Sequence, residues 1–527
     1  MYLRNIEIIG FRGINRLSML LRPDMVLIGE NAWGKSSLLD ALSLIFNIKQ
    51  TFYQFTDQDF HIYPDESPHQ AQIMLLFTFS ESYLDEKYTS YNQRYHDLFV
   101  PHEDRYQRIY LRVSGSHDEQ GKITTRYEFL DGNGEALQVD NLKHQVKSLV
   151  GRFPVYRFRD ARLNDTADLL QTEYYESDTA QDVHQEILAL SQLLRYYFFN
   201  YVEKPSTSHQ LKETGNLWPK IRSLCQKLKQ GDDDLKQAVF ACLVQLFDSA
   251  SAKVPNQVIQ PIILLEDPDA RLHPRMVAIM WELFRHLPVQ RITTTNSVEL
   301  LSLVELRSIC RLVRYADTIK CYQLAKYSLS KQALRRLTFH IHHNRGLALF
   351  ANTWILVEGE TEVWLLSALA ELLGINLELE GIRIVEFAQS GLAPLIKYVK
   401  AMGIEWHVLT DGDSAGKKYA DTVTSLLDEN ESVSERLTML PHKDIEHFFY
   451  FSGFDKVFMA LSRWNSANYL SPSKVISLAI KRTSKPDLAL ALAEDIEQRG
   501  KQHIPPLFHR LFFKVVNLTK SEVSHDA

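Results

Sequence analysis

Two acidic clusters follow two short apolar runs. Thr353 to Glu362 reads TWILVEGETE, and further on the chain reads HVLTDGDSAG, with Asp411-Gly412-Asp413 at its centre. Glu358 and Glu362 stand four apart where a strand should meet a helix, and Asp411 and Asp413 flank a glycine where the next acidic strand should end. In a parallel sheet those ends share one edge, so the four carboxylates would converge on a pocket fit for Mg²⁺ or Mn²⁺, which prefer oxygen ligands. Two such ions roughly 4 Å apart can activate a water and stabilise a leaving oxygen in phosphodiester cleavage.

Far upstream, residues 29–36 read GENAWGKS. Gly29, Gly34, Lys35 and Ser36 meet the GxxxxGK[ST] pattern, with Glu30 and Asn31 inside the loop and Ser37 just behind it. The glycines let backbone N–H groups turn toward phosphates, and the following helix adds its positive end. Lys35 supplies charge and the Ser36 hydroxyl can hold Mg²⁺. Later, IILLEDPDARLHP delivers Glu266 and Asp267 to a strand end. One carboxylate there can bind the ion or its waters, and a second can orient the attacking water. A nucleotide loop combined with an acidic cluster points to an ATP-dependent enzyme that cuts or rearranges nucleic-acid phosphodiesters.

The elements that must position these residues are legible in outline. Residues 3–11 alternate apolar side chains and run into a Gly-Phe-Arg-Gly turn. Met25 to Ile28 reads as a strand and Ser36 to Phe46 as a helix, so the glycine loop has the context it needs. Strands are expected at 71–79 and 106–130, with a hairpin signal at Asp131-Gly132-Asn133-Gly134. Residues 166–248 turn helical. Pro261 to Leu265 is a buried strand, Arg275 to His286 a helix, and RITTTNS another strand. Residues 340–351 read as a linker or connecting helix. Strands at 353–358, 382–387 and 405–410 then alternate with helices at 361–373, 391–402 and 414–427, a small parallel α/β unit. The last 75 or so residues are mostly helical, and neither an internal repeat nor a low-complexity tract is present.

Bulk composition narrows the class. The 527 residues suffice for several cores, and 45% hydrophobic with 24% charged residues is ordinary for a globular chain. No apolar run is long enough to span a membrane, and the start MYLRNIEIIGF reads as a strand rather than a signal peptide. The cysteines at 225, 242, 310 and 321 form no CxxC pair, which argues against a zinc site or a disulfide framework and makes a cytoplasmic location the default. A net charge of −6 argues against a chain that coats DNA, though a local basic stripe can still bind it. Candidate stripes are Arg152, Arg157, Arg159 and Arg162, and Lys220, Arg222, Lys227 and Lys229. Solvated faces are the simpler reading of each.

IEIIGFRGI, GENAWGKSS and LLEDPDARLHP resemble the ATPase heads of the chromosome-maintenance and DNA-repair branch of the ABC class. Joined to the E-G-x-x-E and D-x-D strand ends, they resemble the OLD (overcoming lysogenization defect) family, lone-chain subgroup, which joins such a head to a Toprim nuclease domain. The resemblance implies an α/β architecture: an ABC-type ATPase domain at 1–340 with a helical insertion at about 166–248, a Toprim domain at 351–450, and a helical region at 451–527. It also implies ATP and Mg²⁺ or Mn²⁺ as cofactors and DNA as substrate. OLD nucleases add a later acidic ligand, which Glu446 fits with Asp444 as second choice, and a basic residue, for which Lys485 is the first choice and Lys481 the second.

The departures from the family pattern are specific. The family's Glu-Glu-Pro-Glu is here Glu266-Asp267-Pro268-Asp269, so the catalytic-base position is one methylene shorter. Its Thr-His-Ser switch is here Thr295-Asn296-Ser297, and Asn296 can bond a γ-phosphate but carries no charge. The Ser-Gly-Gly-type signature has only Glu213-Thr214-Gly215-Asn216 as a counterpart. The expectation is therefore an ATP-dependent, metal-dependent DNA endonuclease or nickase in DNA repair or phage defence, with an ATP-binding DNA sensor or clamp of feeble nuclease activity as the alternative. Topoisomerase and primase readings lack, respectively, a marked strand-attacking tyrosine and a zinc-binding module. Since heads of this class enclose ATP between two subunits, a homodimer is expected. The apolar run Leu193, Leu194, Tyr196, Tyr197, Phe198 and Phe199 is either its contact or ATPase core.

Overall fold

The computed structural model describes residues 1–47, 49, 51–62, 71–158, 185–187, 189–190, 207–231, 234–236, 238–239, 260–270, 274–287, 289–344, 346–463 and 470–523. The apolar run at 193–199, Arg159, Arg162 and Cys242 lie outside the described residues. The chain divides into two compact units, Met1–Val304 with Ser308–Cys321, and Glu305–Arg307 with Tyr322–Ala527. That division falls earlier than residue 340, and the helices after 451 belong with the strands before them. Among the described residues no helix is long and apolar enough to cross a membrane.

The first unit is built on one large mixed sheet. Its strands are β1 (Tyr2–Phe11), β2 (Ile14–Leu20), β3 (Asp24–Ile28), β4 (Gln72–Ser80), β5 (Val100–Pro101), β6 (Gln107–His117), β7 (Ile123–Leu130), β8 (Val155–Phe158), β9 (Ile262–Glu266), β10 (Gln290–Thr294), β11 (Ile309–Arg314) and β12 (Ile319–Gln323). They lie in the order β5-β6-β4-β1-β2-β12-β11-β3-β10-β9-β8, with β7 on β6. The β1–β2 hairpin turns on Arg12 and Gly13, with Arg12 at φ 48. The β6–β7 hairpin closes through Asp118–Lys122. The Asp131–Gly134 signal instead makes a turn after β7 that leads to a single bridge between Leu130 and Ala136.

Helix α1 (Lys35–Ile45) covers one face of this sheet. Strand β9 shows why the sheet needs cover on both sides: Ile262 and Leu264 join the core that holds Leu38, Leu39 and Leu42 of α1. Ile263 and Leu265 point the other way, into a second core with α3 (Thr207–Lys229) and α4 (Pro274–Arg285). The apolar run of β9 is therefore unbroken rather than alternating, as two-sided burial requires. Helix α2 (Leu142–Arg152) packs Val146 and Leu149 into the first core.

The second unit holds a four-stranded sheet in the order β14-β13-β15-β16, parallel throughout: β13 (Thr353–Val357), β14 (Ile382–Glu386), β15 (Glu405–Thr410) and β16 (Leu437–Met439). Helix α5 (Lys331–Asn344) precedes it, so much of the expected linker at 340–351 is the end of a longer helix and a 3₁₀ turn at Gly346–Phe350. Helices α6 (Glu360–Leu373), α7 (Leu392–Ala401) and α8 (Ser414–Ser425) follow the first three strands. Short helix α9 (Ile445–Phe449) leads to α10 (Asp455–Leu461), α11 (Pro472–Arg482), α12 (Lys485–Arg499) and α13 (Pro506–Val523). These late helices complete the core of the sheet: Ile355 and Val357 share one cluster with Leu488, Leu492, Phe508 and Leu511.

The turn after β15 is carved by close backbone approach. A Cβ on Gly416 would lie 1.9 Å from the Asp411 carbonyl oxygen, and one on Gly412 would lie 2.4 Å from the His442 carbonyl oxygen. Backbone cannot give way as a flexible side chain can. Gly416→Ala should therefore destabilise the second unit by about 3 kcal/mol, the upper range for overpacking. Calorimetric melting of the full chain should show its transition lowered by several degrees, and an unchanged melt would refute the close packing.

Candidate functional site

In the first unit, register brings three strand ends level. Leu27 of β3 pairs with Thr294 of β10, and Thr294 pairs with Glu266 of β9, all parallel. The residues that follow are the glycine loop, Thr295-Asn296, and Asp267. Gly34 caps α1 in a left-handed conformation with no side-chain cap, leaving the first-turn N–H groups directed at the loop.

The Lys35 ammonium is buried among loop groups, donating to Gly29 O and, at 3.1 Å, to Glu30 O. Burial lowers its pKa, while Asp267 and Glu30 act to raise it. With its amide oriented so that donors face acceptors, Asn296 donates to Gly29 O at 3.3 Å and Thr295 O at 3.2 Å, its other end 3.0 Å from the Asn31 amide. The Ser36 hydroxyl donates to Glu266 Oε1 at 3.3 Å. Ser37 accepts from Gly13 N–H at 3.3 Å, tying the loop to the β1–β2 turn. Asp267 has φ 45, and its carboxylate accepts from Thr294 Oγ1 at 3.2 Å. Asp269 accepts from Thr295 Oγ1 at 2.8 Å, and burial raises its pKa.

Four charged residues outside the nucleotide motifs complete this edge. Arg157 of β8 grips Glu266 with Nε at 3.0 Å and Nη2 at 2.8 Å, and its Nη1 pairs with Asp40 of α1. Asp40 also pairs with Arg12, whose Nε reaches Asp59 at 2.9 Å. A continuous chain of charge thus runs from Asp59 through Arg12, Asp40 and Arg157 to Glu266 and Ser36. Arg157 had been a candidate for a nucleic-acid stripe, but its charge is spent on carboxylates. Arg152 likewise faces inward, donating to Tyr91 O at 3.1 Å and to the Asn92 side chain. In the other stripe, Lys227 and Lys229 pair with Glu186 and Glu282 at 3.0 and 2.6 Å. The fragment Glu213-Thr214-Gly215-Asn216 lies within α3.

In the second unit, β13 is buried along its whole length and carries Glu358 out at its carboxyl end. Glu358 Oε2 is buried with no hydrogen-bond partner among the described residues. Glu362, in the first turn of α6, accepts from Gly359 N–H at 3.1 Å, which ties its side chain back to the residue that starts the helix. Asp413 caps α8, accepting from Ala415 and Gly416 N–H at 2.8 Å each. Gly412 N–H donates to His442 O at 2.9 Å, which draws the segment bearing Asp444 and Glu446 to the same edge. Asp444 caps α9 and is held by His447 Nδ1 at 2.5 Å. Glu446 is buried, 4.0 Å from the ammonium of Lys485 at the start of α12. Lys481 lies in the last turn of α11.

Electrostatics ties these carboxylates into one group. Burial, then Glu362, Glu358, Asp444 and Glu446, push the Asp411 carboxyl up to about 8. Burial and Asp413 raise Glu358, and burial raises Glu362 and Glu446, with Lys485 opposing all three shifts. Tyr419 of α8 also belongs here, its phenol raised by burial and by Glu358 and Asp413. Among the described residues no three acidic, His or Cys side chains stand close enough to enclose one ion as they are placed. The cluster is an open set of oxygen donors whose charge is offset mainly by one lysine.

Two outcomes follow. Arg157→Ala takes from the mostly buried Glu266 its two-pronged arginine partner, while Asp40 keeps Arg12, so chemical unfolding should show the first unit weakened by roughly 3 kcal/mol, with Arg157→Lys recovering part. In the second unit, the folded chain keeps the Asp411 proton up to about pH 8, whereas the unfolded chain loses it near pH 4. The stability of the metal-free protein should fall as pH rises through that window and level off above it. Melts in EDTA from pH 5 to 9 check this, and Asp411→Asn should flatten the profile. Mn²⁺ competes with the proton, so its affinity should climb over the same window.

Residues 1–348 match the family described as Protein of unknown function (DUF2813), and residues 349–413 match the family described as Overcoming lysogenization defect protein-like, TOPRIM domain. The chain is 38% identical over 553 residues to the Uncharacterized protein YbjD of Escherichia coli (strain K12), covering 99% of each. Among solved structures it is similar to the C-terminal region of the Burkholderia pseudomallei OLD protein, at 21% identity and a TM-score of 0.28, over 32% of this chain and 99% of that one. It is also similar to the SMC head domain from Thermotoga maritima, at 12% identity and a TM-score of 0.31, over 62% of this chain and 100% of that one. With Glu358, Glu362, Asp411 and Asp413 inside the Toprim match, the chain belongs to the DUF2813 family and carries an OLD-like Toprim domain.

Proposed function

We propose that this protein is an ATP-dependent, metal-dependent DNA endonuclease or nickase. The observation that carries the reading is the convergence of Glu358, Asp411 and Glu446 on one edge of a parallel sheet, with Lys485 as their nearby cation. All donors are oxygens, and the orphaned Glu358 Oε2 has a lone pair to offer. Mg²⁺ or Mn²⁺ fits this chemistry, held by Glu358, Glu362, Asp411, Asp413 and Glu446 once their side chains close together. A bound divalent ion would supply an activated water and charge for the leaving oxygen. Lys485 would stabilise negative charge on the scissile phosphate. Asp444 is the weaker candidate ligand, because its Oδ1 already takes both the His447 ring and the α9 N-terminus.

ATP would bind at Gly29, Glu30, Asn31, Gly34, Lys35 and Ser36, with Ser36 and Glu266 toward its Mg²⁺ and Asn296 toward the γ-phosphate. Asp267 is the candidate base for water attack. Its carboxylate already accepts from Thr294, and this favours a second reading: slow turnover, with the protein acting as an ATP-binding DNA sensor or clamp of weak nuclease activity. Pairing of two copies around ATP and a role in DNA repair or phage defence belong to the same proposal and rest on family resemblance, and a cytoplasmic location belongs to it on the cysteine pattern.

Supercoiled plasmid with Mn²⁺ or Mg²⁺, with and without ATP, tests the reading. Glu358→Ala and Asp411→Ala should each slow cutting by on the order of 10²-fold or more, the scale of losing a transition-state charge stabiliser. Nucleotide binding should be unchanged. Cutting at the wild-type rate by either variant would remove the acidic edge from the mechanism, and DNA binding without any cutting would favour the clamp.

A further inference from the structure

An exposed aromatic stack stands at the rim of the acidic edge. Phe451 leaves 54% of its surface open, unusual for so large an apolar ring. It sits in the segment Tyr450–Phe454, where the chain kinks between two helices at Gly453 with φ 96. The His442 ring stacks on it, with centroids 5.1 Å apart and planes 24° from parallel. His442 is also the residue whose carbonyl receives the Gly412 N–H at 2.9 Å, between Asp411 and Asp413. The stack is thus fastened by backbone to the acidic loop, two residues before Asp444 and four before Glu446. Exposed Lys443 lies next to it in the chain.

We propose that Phe451 and His442 form a stacking platform for an unpaired nucleobase, so that the DNA offered to Glu358 and Asp411 is single-stranded or locally unpaired. The inference rests on the acidic edge being a DNA-cutting site and adds its substrate class. Inside a duplex both faces of each base are covered by neighbours. A flat, open ring has a partner only where a base is unstacked, and every base has such a face, so the contact selects structure rather than sequence. Lys443 and Lys485 provide cations for the adjoining phosphates.

The test uses the full chain carrying Asp411→Ala, which separates binding from cutting. Fluorescence anisotropy compares a mixed-sequence single strand of about 25 nucleotides with the matching duplex. Adding Phe451→Ala should weaken single-strand binding roughly tenfold and change duplex binding by less than about twofold, while Phe451→Trp keeps the preference. Equal single-strand affinity with and without Phe451, or an equal loss on both DNAs, would overturn the platform. The nuclease reading fails separately: plasmid left intact by the wild-type chain with a clear Phe451-dependent strand preference sinks the cutting and keeps the platform. Normal cutting of single strands by Phe451→Ala in the otherwise wild-type chain does the reverse.

Discussion

Parallel strand pairing is the constraint on which both units depend. A parallel strand must be reached by a crossover, so every strand of the group delivers its carboxyl end to the same edge. In the first unit this levels Leu27, Thr294 and Glu266, and the glycine loop, Asn296 and Asp267 meet although they are far apart in sequence. In the second it aligns Val357 with Glu386 and Leu356 with Val408, so that Glu358 and Asp411 leave their strands on one side. Neither cluster needs long side chains reaching across the fold.

The backbone at those edges is held more tightly than the side chains. Gly412 and Gly416 admit carbonyls within the radius of a methyl group. Glu362, Asp413 and Asp444 each accept N–H groups at the start of a helix. A carboxylate used as a cap is fixed through one oxygen and keeps the other free. Capping thus aims these residues without neutralising them, which is how acidic groups can be ordered before any cation arrives.

Much of this was legible from local pattern. TWILV and HVLT announce buried parallel strands because apolar runs of that length between helices have few other uses, and GENAWGKS declares its own turn. Strand β16 escaped because Leu437–Met439 is three half-exposed residues with no pattern to read. Strand β11 was hidden by Arg311, which is buried over the Trp33 ring although its charge suggests a surface position. Strand β2 alternates plainly, but it follows β1 after only two residues and so blends into it. The roles of Arg157, Tyr419, His442 and Phe451 depend on partners remote in sequence, and spacing carries no record of such partners.

Charge compensation separates the two edges and says which carboxylates are committed. In the first unit each acid has an answer: Glu266 and Asp40 share Arg157, Asp40 and Asp59 share Arg12, and Asp267 and Asp269 accept threonine hydroxyls. Such a network fixes geometry and leaves little unmet charge among these carboxylates. In the second unit the acids outnumber their cation. Lys485, with its side chain 59% exposed, faces Glu358, Glu362 and Glu446, and Asp411 is driven toward its neutral form by the others. Leaving several buried carboxylates under-compensated costs folding free energy. A chain keeps such an arrangement where a ligand relieves it, and a divalent cation relieves it most fully. The same residue type is therefore answered by arginines at one edge and left under-compensated at the other.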